Sequence, residues 1–248
     1  MPPTLSSARR NYNLSALIAR RAVQEARRGG AVQAIITHQF ANARTSQAAV
    51  VEMLAEQNIN APADAALNLA GFTTDAAVIR DALEQVEFDW QFERLVGSLV
   101  QDAGRAAESV SVASRPQIGH VRAINPPCCS RCAILAGRFY RWSDGFKRHP
   151  GCDCTMIPTT VASPLRQSPE QLVRDGLVTG LSKADMSALN DGADLGRLVN
   201  VRSTKAGLSE AGQTLRRGNR LTPAGIYRQA GDDHAKALTL LQRNGYIR

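Results

Sequence analysis

All five cysteines of this chain of 248 residues fall between Cys128 and Cys154. A set so local, with an odd count, cannot form a framework of long-range disulfides, and it predicts a metal site in a reducing compartment. The first half-site is Cys129-Ser-Arg-Cys132, whose spacing lets a tight turn aim both thiols at one ion. The second is His149-Pro-Gly-Cys152-Asp-Cys154. Pro150 and Gly151 suit the centre of a type II turn that brings His149 toward Cys152. Cys152 and Cys154 point to one face if the stretch is extended. Cys129, Cys132, His149, Cys152 and Cys154 thus compete for four tetrahedral positions, and the expected set is Cys129, Cys132, Cys154 and either Cys152 or His149 around one structural Zn2+. The fifth becomes a hydrogen-bond partner or spectator, and Cys128 stands outside the pattern. An ion enclosed by four protein ligands has no position for water or substrate, so it builds structure and does not catalyse.

The rest of the chain reads as mainly α within an α+β class. An N-terminal helical domain is expected over 1–115, a zinc-stapled central region with short strands over 116–162, and a helical C-terminal region over 163–248. Only 5% of residues are aromatic, so the cores must be built from Ala, Val, Leu and Ile. Helical spacing runs from Leu14 to Arg28, stopped by Gly29-Gly30, and from Ala31 to about Gln57. A third helix is expected after Thr74 as cap, through Ile79 and Leu83. A fourth carries Phe88, Phe92, Leu95, Val96, Leu99 and Val100 and continues through small residues to Ala113. Ile118 to Ile124 and Arg138 to Trp142 read as short extended segments, the latter with one buried aromatic face. Helix starts follow at Ser168-Pro169, with Gln171 closing a capping box, then at Ser182, at Thr222-Pro223 and at Asp232-Asp233. Gly245 can end the last helix. Between them an extended, mobile basic connection is expected over about 204–221.

Several function classes lack their signatures. There is no Gly-x-Ser-x-Gly elbow, no Gly-rich phosphate loop, and no triad among His38, His120, His149 and His234. His149, Asp153 and Asp144 resemble part of a histidine-metal nuclease, but no second histidine stands near them to complete it. No apolar run reaches the roughly 18 to 20 residues of a membrane span. Met1 to Arg10 lacks the apolar block of a signal peptide, so the protein is expected to stay where it is made. The net charge of +8 and pI near 9.7 favour polyanions or acidic protein surfaces.

The run from Val121 to Gly137 contains Ile-Asn-Pro-Pro-Cys-Cys-Ser-Arg-Cys and is followed by Phe139-Tyr-Arg-Trp142 and His149-Pro-Gly-Cys-Asp-Cys154. It resembles the minor capsid proteins of actinobacterial tailed phages, related to the Mu F-like family of phage head morphogenesis proteins. The resemblance extends through Asn190-Asp-Gly-Ala-Asp-Leu-Gly196 and Leu241-Gln-Arg-Asn-Gly-Tyr-Ile247, covering about 102–248. Many relatives of the broad family carry Cys-Arg-Cys where this chain has Cys152-Asp153-Cys154, which spares the thiols. The resemblance implies a non-enzymatic component, in several copies per virion, inside the head near the portal and in the host cytoplasm during assembly. It would help assembly, packaging or ejection. Its implied partners are the portal and major capsid proteins and, through Arg-rich surfaces, packaged double-stranded DNA, with no membrane partner. The rival readings are a zinc-stabilised nucleic-acid-binding module and a metal-dependent nuclease.

Overall fold

The structure is a computed structural model that describes residues 5–115, 117–146, 152, 154–165, 167–201 and 220–247. It is mainly helical with five short strands among those residues. In chain order the elements are α1 (Ser6–Arg28), α2 (Ala31–Glu56), a 3-10 turn (Leu69–Phe72), α3 (Ala76–Glu84), α4 (Asp89–Ala113) and β1 (Gly119–Ala123). Then come β2 (Cys128–Cys129), α5 (Ser130–Ala133), β3 (Phe139–Tyr140), β4 (Thr155–Thr159), α6 (Pro169–Arg174) and β5 (Val178–Thr179). The last four are α7 (Lys183–Asn190), α8 (Leu195–Val201), α9 (Pro223–Ala230) and α10 (His234–Arg243). The chain divides into two compact units, one formed by Met1–Ala123 with Gly137–Arg166 and the other by Ile124–Ala136 with Gln167–Arg248.

In the first unit α1, α2 and α4 pack on one another through small side chains, as the scarcity of aromatics requires. Ala22, Ala26, Ile35, Ile79, Val96 and Val100 form one apolar cluster. Val50, Met53, Leu54, Val112, Ile118 and Ile157 belong to a second. Along α2 a buried polar stretch separates them. Gln39 donates to the Leu99 carbonyl at 3.2 Å, and Asn42 donates to Ser15 Oγ at 3.0 Å and to the Val100 carbonyl at 2.8 Å. Asn11 donates to Glu108 Oε1 at 2.5 Å. Gly104 of α4 faces this layer, where an added Cβ would lie 2.5 Å from Asn42 Nδ2 and 2.7 Å from Ser46 Oγ. The Asn11 and Asn42 Oδ1 atoms have no hydrogen-bond partner among the described residues, but the paired donors define one register in a low-dielectric core, because any slip leaves them unpaired.

Two helix starts differ from the sequence reading. Helix α1 begins at Ser6, not near Leu14, because the Glu56 carboxylate accepts the backbone N–H groups and hydroxyls of Ser6 and Ser7 at 2.5 to 3.0 Å. Those bonds, the Ser7 hydroxyl first, push the Glu56 carboxyl down to about 2. The cap of α3 is Asp75, which accepts from the Ala77 N–H at 2.7 Å, whereas the Thr74 hydroxyl accepts from Gln39 at 2.8 Å. Both partners lie far away in the chain, beyond what local spacing reveals.

Strand β1 is the centre of an antiparallel sheet ordered β3-β1-β4, with Val121 opposite Phe139 on one side and Ile157 on the other. All five of its residues are buried. Pro158 in β4 is tolerated because β4 is an edge strand, where a missing N–H costs no ladder bond. Gly119 sits where a Cβ would strike the Tyr140 carbonyl and the Phe139 ring.

In the second unit β2 and β5 pair in parallel, Cys128 opposite Val178 and Cys129 opposite Thr179. The expected helix starts hold. Ser168, Ser182, Thr222 and Asp233 accept from the backbone N–H groups of Gln171, Asp185, Gly225 and Lys236. The Gln171 side chain does not reach back to close a box but donates to Asp175 Oδ1 at 2.6 Å. Gly245 follows α10 with φ 68°, the left-handed conformation that stops a helix. Ile226, Leu198, Leu241 and Tyr246 centre one core. The expected connection over about 204–221 lies, apart from its last two residues, outside the described residues.

Gly119→Ala is expected to lower stability by about 2 kcal/mol, since the clash is with backbone and a packed ring and neither side can yield cheaply. Urea denaturation checks this as a shifted midpoint with unchanged slope.

Candidate metal centre

The local fold delivers the thiols by two routes. Cys129 is the N-cap of α5, and its sulfur accepts from the Cys132 backbone N–H at 3.4 Å, the tight turn that the two-residue spacing favours. Cys132 follows on α5 with 3% exposure. Cys154 directly precedes β4, whose pairing with β1 fixes the chain there. The Cys152 carbonyl accepts from Arg105 Nη2 of α4 at 3.3 Å.

Cys132, Cys152 and Cys154 form a buried cluster whose three sulfurs all lie within 4.8 Å of one another. None of the five cysteines is in a disulfide. Four thiolates around an ion at about 2.3 Å stand about 3.8 Å apart, a spacing compatible with this trio. Such a cluster can bind a metal ion. Cys129 is outside the trio and joined to it through its hydrogen bond to Cys132. His149 and Asp153 lie outside the described residues. Cys128 is buried in β2.

His38 bonds Glu25 at 3.0 Å and His234 bonds Asp191 at 2.9 Å, on separate elements. Asp144 accepts from the Arg141 N–H at 2.8 Å. Of the aromatic run, Phe139 and Tyr140 are half-buried in β3, and Trp142 is exposed. No helix among the described residues is long and apolar enough to cross a membrane.

His120 was one of four scattered histidines in the sequence, and the structure gives it a distinct setting. It is buried on β1, stacked on Tyr140 with ring centroids 5.2 Å apart and tilted against Phe146 at 5.6 Å. The Arg122 guanidinium lies 4.1 Å above the Phe146 ring. Neither ring nitrogen of His120 has a hydrogen-bond partner among the described residues. Burial first, then the charge of Arg122, pushes its pKa down to about 4, against a weaker opposite pull from Asp144. Other features invisible in local spacing include Asp191, which accepts from the Tyr227 hydroxyl at 2.6 Å as well as bonding His234. Comparison with protein-family models, curated proteins and solved structures finds no match.

His120 makes a pH prediction whose sign is fixed. Its folded pKa lies below the unfolded value near 6.5, so the unfolded chain binds the extra proton between these values. Its contribution is therefore full above about pH 6.5 and is lost as pH falls toward 4, amounting to roughly 3 kcal/mol over the window. His120→Phe should flatten that part of the stability profile, and the His120 ring resonances should titrate with a midpoint near 4 by NMR.

Proposed function

We propose that the cysteine cluster holds one structural Zn2+ and that the chain is a non-enzymatic minor head component of a tailed phage. The observation that carries the metal reading is the buried convergence of Cys132, Cys152 and Cys154. Soft thiolates favour Zn2+ over hard cations such as Mg2+, and an all-sulfur tetrahedral set is closed to substrate. We assign the fourth position to Cys129, whose sulfur accepts from the Cys132 N–H in the same tight turn. With four sulfurs the tetrahedral set is filled, and His149 is not a ligand in this reading.

Support for the head reading comes from the resemblance carried by Val121 to Gly137, by the segment ending at Cys154 and by the C-terminal run to Ile247. A basic chain with small-residue helices suits a place beside portal and capsid subunits, where its arginines can neutralise packaged DNA without reading sequence. In this reading the protein occupies the capsid interior, and the metal maintains the shape of one region.

Purified protein should contain about one zinc per chain, and Co2+ in its place should show thiolate-to-metal charge-transfer absorption. Cys129→Ser, Cys132→Ser and Cys154→Ser should each reduce bound zinc and lower the melting temperature by roughly 5 °C or more, while His149→Ala should retain the metal. Metal-free protein that melts unchanged would sink the site. For the head role, co-expression with the portal protein encoded in the same phage genome should yield a complex that survives gel filtration. Salt-sensitive DNA binding with no portal association would favour the nucleic-acid module, and Mg2+-dependent cleavage lost in His149→Ala would favour the nuclease.

A further inference from the structure

Helices α1 and α2 form a hairpin that turns at Gly29-Gly30, and a trough runs along its outer side. One part, about 580 Å³, is lined by Leu14, Thr37, Phe40, Ala41, Arg44 and Ala48 among others. A second part of about 600 Å³ shares Arg10 and Leu14 with it and continues past Asn13 and Leu17. Leu14, Leu17 and Phe40 are 39%, 42% and 41% exposed, large apolar groups brought to one groove from two helices. The outer side of α2 is also poor in charge, with Thr37, Phe40, Ala41, Ala48 and Val51 broken only by Arg44 and Glu52. A helix surface of that composition is one that packing normally covers.

The charge around the trough is asymmetric. Helix α1 carries six arginines and a single glutamate. The two carboxylates at the trough are already engaged, Glu52 by Arg10 at 2.6 Å and Glu56 by Ser6 and Ser7. Arg44 on α2, and Arg20 and Arg21 one turn beyond Leu17 on α1, make no ion pair among the described residues. An occupant must therefore bring apolar groups for the floor and negative charge for the rim. Phosphate backbone supplies the charge but has no use for Leu14, Leu17 and Phe40. A single helix laid into the groove of a helical pair satisfies both demands, with apolar residues at i, i+3, i+4 and i+7 and carboxylates flanking them.

We propose that this trough is the docking site for one amphipathic helix of a partner protein, apolar toward Leu14, Leu17 and Phe40 and acidic on its flanks toward Arg20, Arg21 and Arg44. The proposal depends on neither the metal nor the phage-head reading. The span from Leu5 to Leu17 on α1 offers about 18 Å of docking length, three to four turns of a partner helix.

The test uses the full chain and a fluorescein-labelled synthetic peptide of about five helical turns with a leucine stripe and glutamates on the other faces. Anisotropy titration at physiological salt should show saturable binding, and a peptide of the same composition with the stripe permuted should bind about tenfold more weakly or worse. Leu17→Ser, Phe40→Ser and Arg44→Glu are surface changes expected to leave thermal melting intact. Each should weaken the striped peptide about tenfold, the size expected when one such contact is lost. Absence of binding, or equal binding of both peptides, overturns the proposal. So does duplex DNA binding more tightly than the peptide with no response to Phe40→Ser, which marks a nucleic-acid face. Sedimentation that shows dimers dissociated by Phe40→Ser, with the peptide excluded from the dimer, assigns the trough to a second copy and equally overturns it.

Discussion

The first unit depends on a close contact between α2 and α4 at Gly104. Because Gly104 has no side chain, Asn42 can lie against α4 and donate to the Val100 carbonyl. A methyl group there would push the helices apart and strand a buried amide whose desolvation has already been paid. The same register carries outward along both helices. At the end of α2, Gln57 donates to the Pro158 carbonyl at 2.8 Å and accepts from the Thr159 hydroxyl at 2.7 Å, fastening β4. After α4, Arg115 donates to the Ala61 carbonyl at 2.8 Å and so holds the loop that follows α2. The bundle thus sets the strand into which Cys154 leads.

Buried cysteines are common as small hydrophobes, and burial alone would not distinguish these from ordinary core residues. Their placement adds to it: Cys132 comes from α5 and Cys152 and Cys154 from one short stretch before β4, and the three sulfurs lie within 4.8 Å of one another, an arrangement that can bind a metal ion. The Cys129 sulfur accepting from Cys132 adds a preformed turn of the kind that thiolate charge stabilises. Arg105, which pairs with Asp102 at 3.3 Å, also donates to the Cys152 carbonyl and so ties that stretch to α4.

Long helices and their caps were legible because their signals are local. Apolar spacing marked α2 and α4, and Ser182, Thr222 and Asp233 sit within a few residues of the donors they serve. What escaped depends on distant partners. Ser6 starts a helix only because Glu56 is there, and Thr74, engaged by Gln39, leaves the cap to Asp75. Strand β4 was hidden because Pro158 reads as a terminator until the strand is known to be an edge. Helix α8 and the two-residue strands β2 and β5 are too short for any period to show, whereas β3 falls within the expected segment Arg138 to Trp142. In the metal centre, clustering of the ligand types was visible in the sequence, but the trio Cys132, Cys152 and Cys154 was not singled out from spacing, since turn geometry alone left the choice open.

The order in which the chain visits its two units has its own consequence. Ile124–Ala136 belongs with Gln167–Arg248, yet it is sequenced between two pieces of the other unit. No single cleavage of the polypeptide separates one unit whole from the other. A break after Arg166 leaves β5 without the strand it pairs with, and a break after Ala123 removes β3 and β4 from β1. Recombination within the gene is under the same restriction. A module exchanged at one junction between β1 and β5 would arrive with its sheet incomplete.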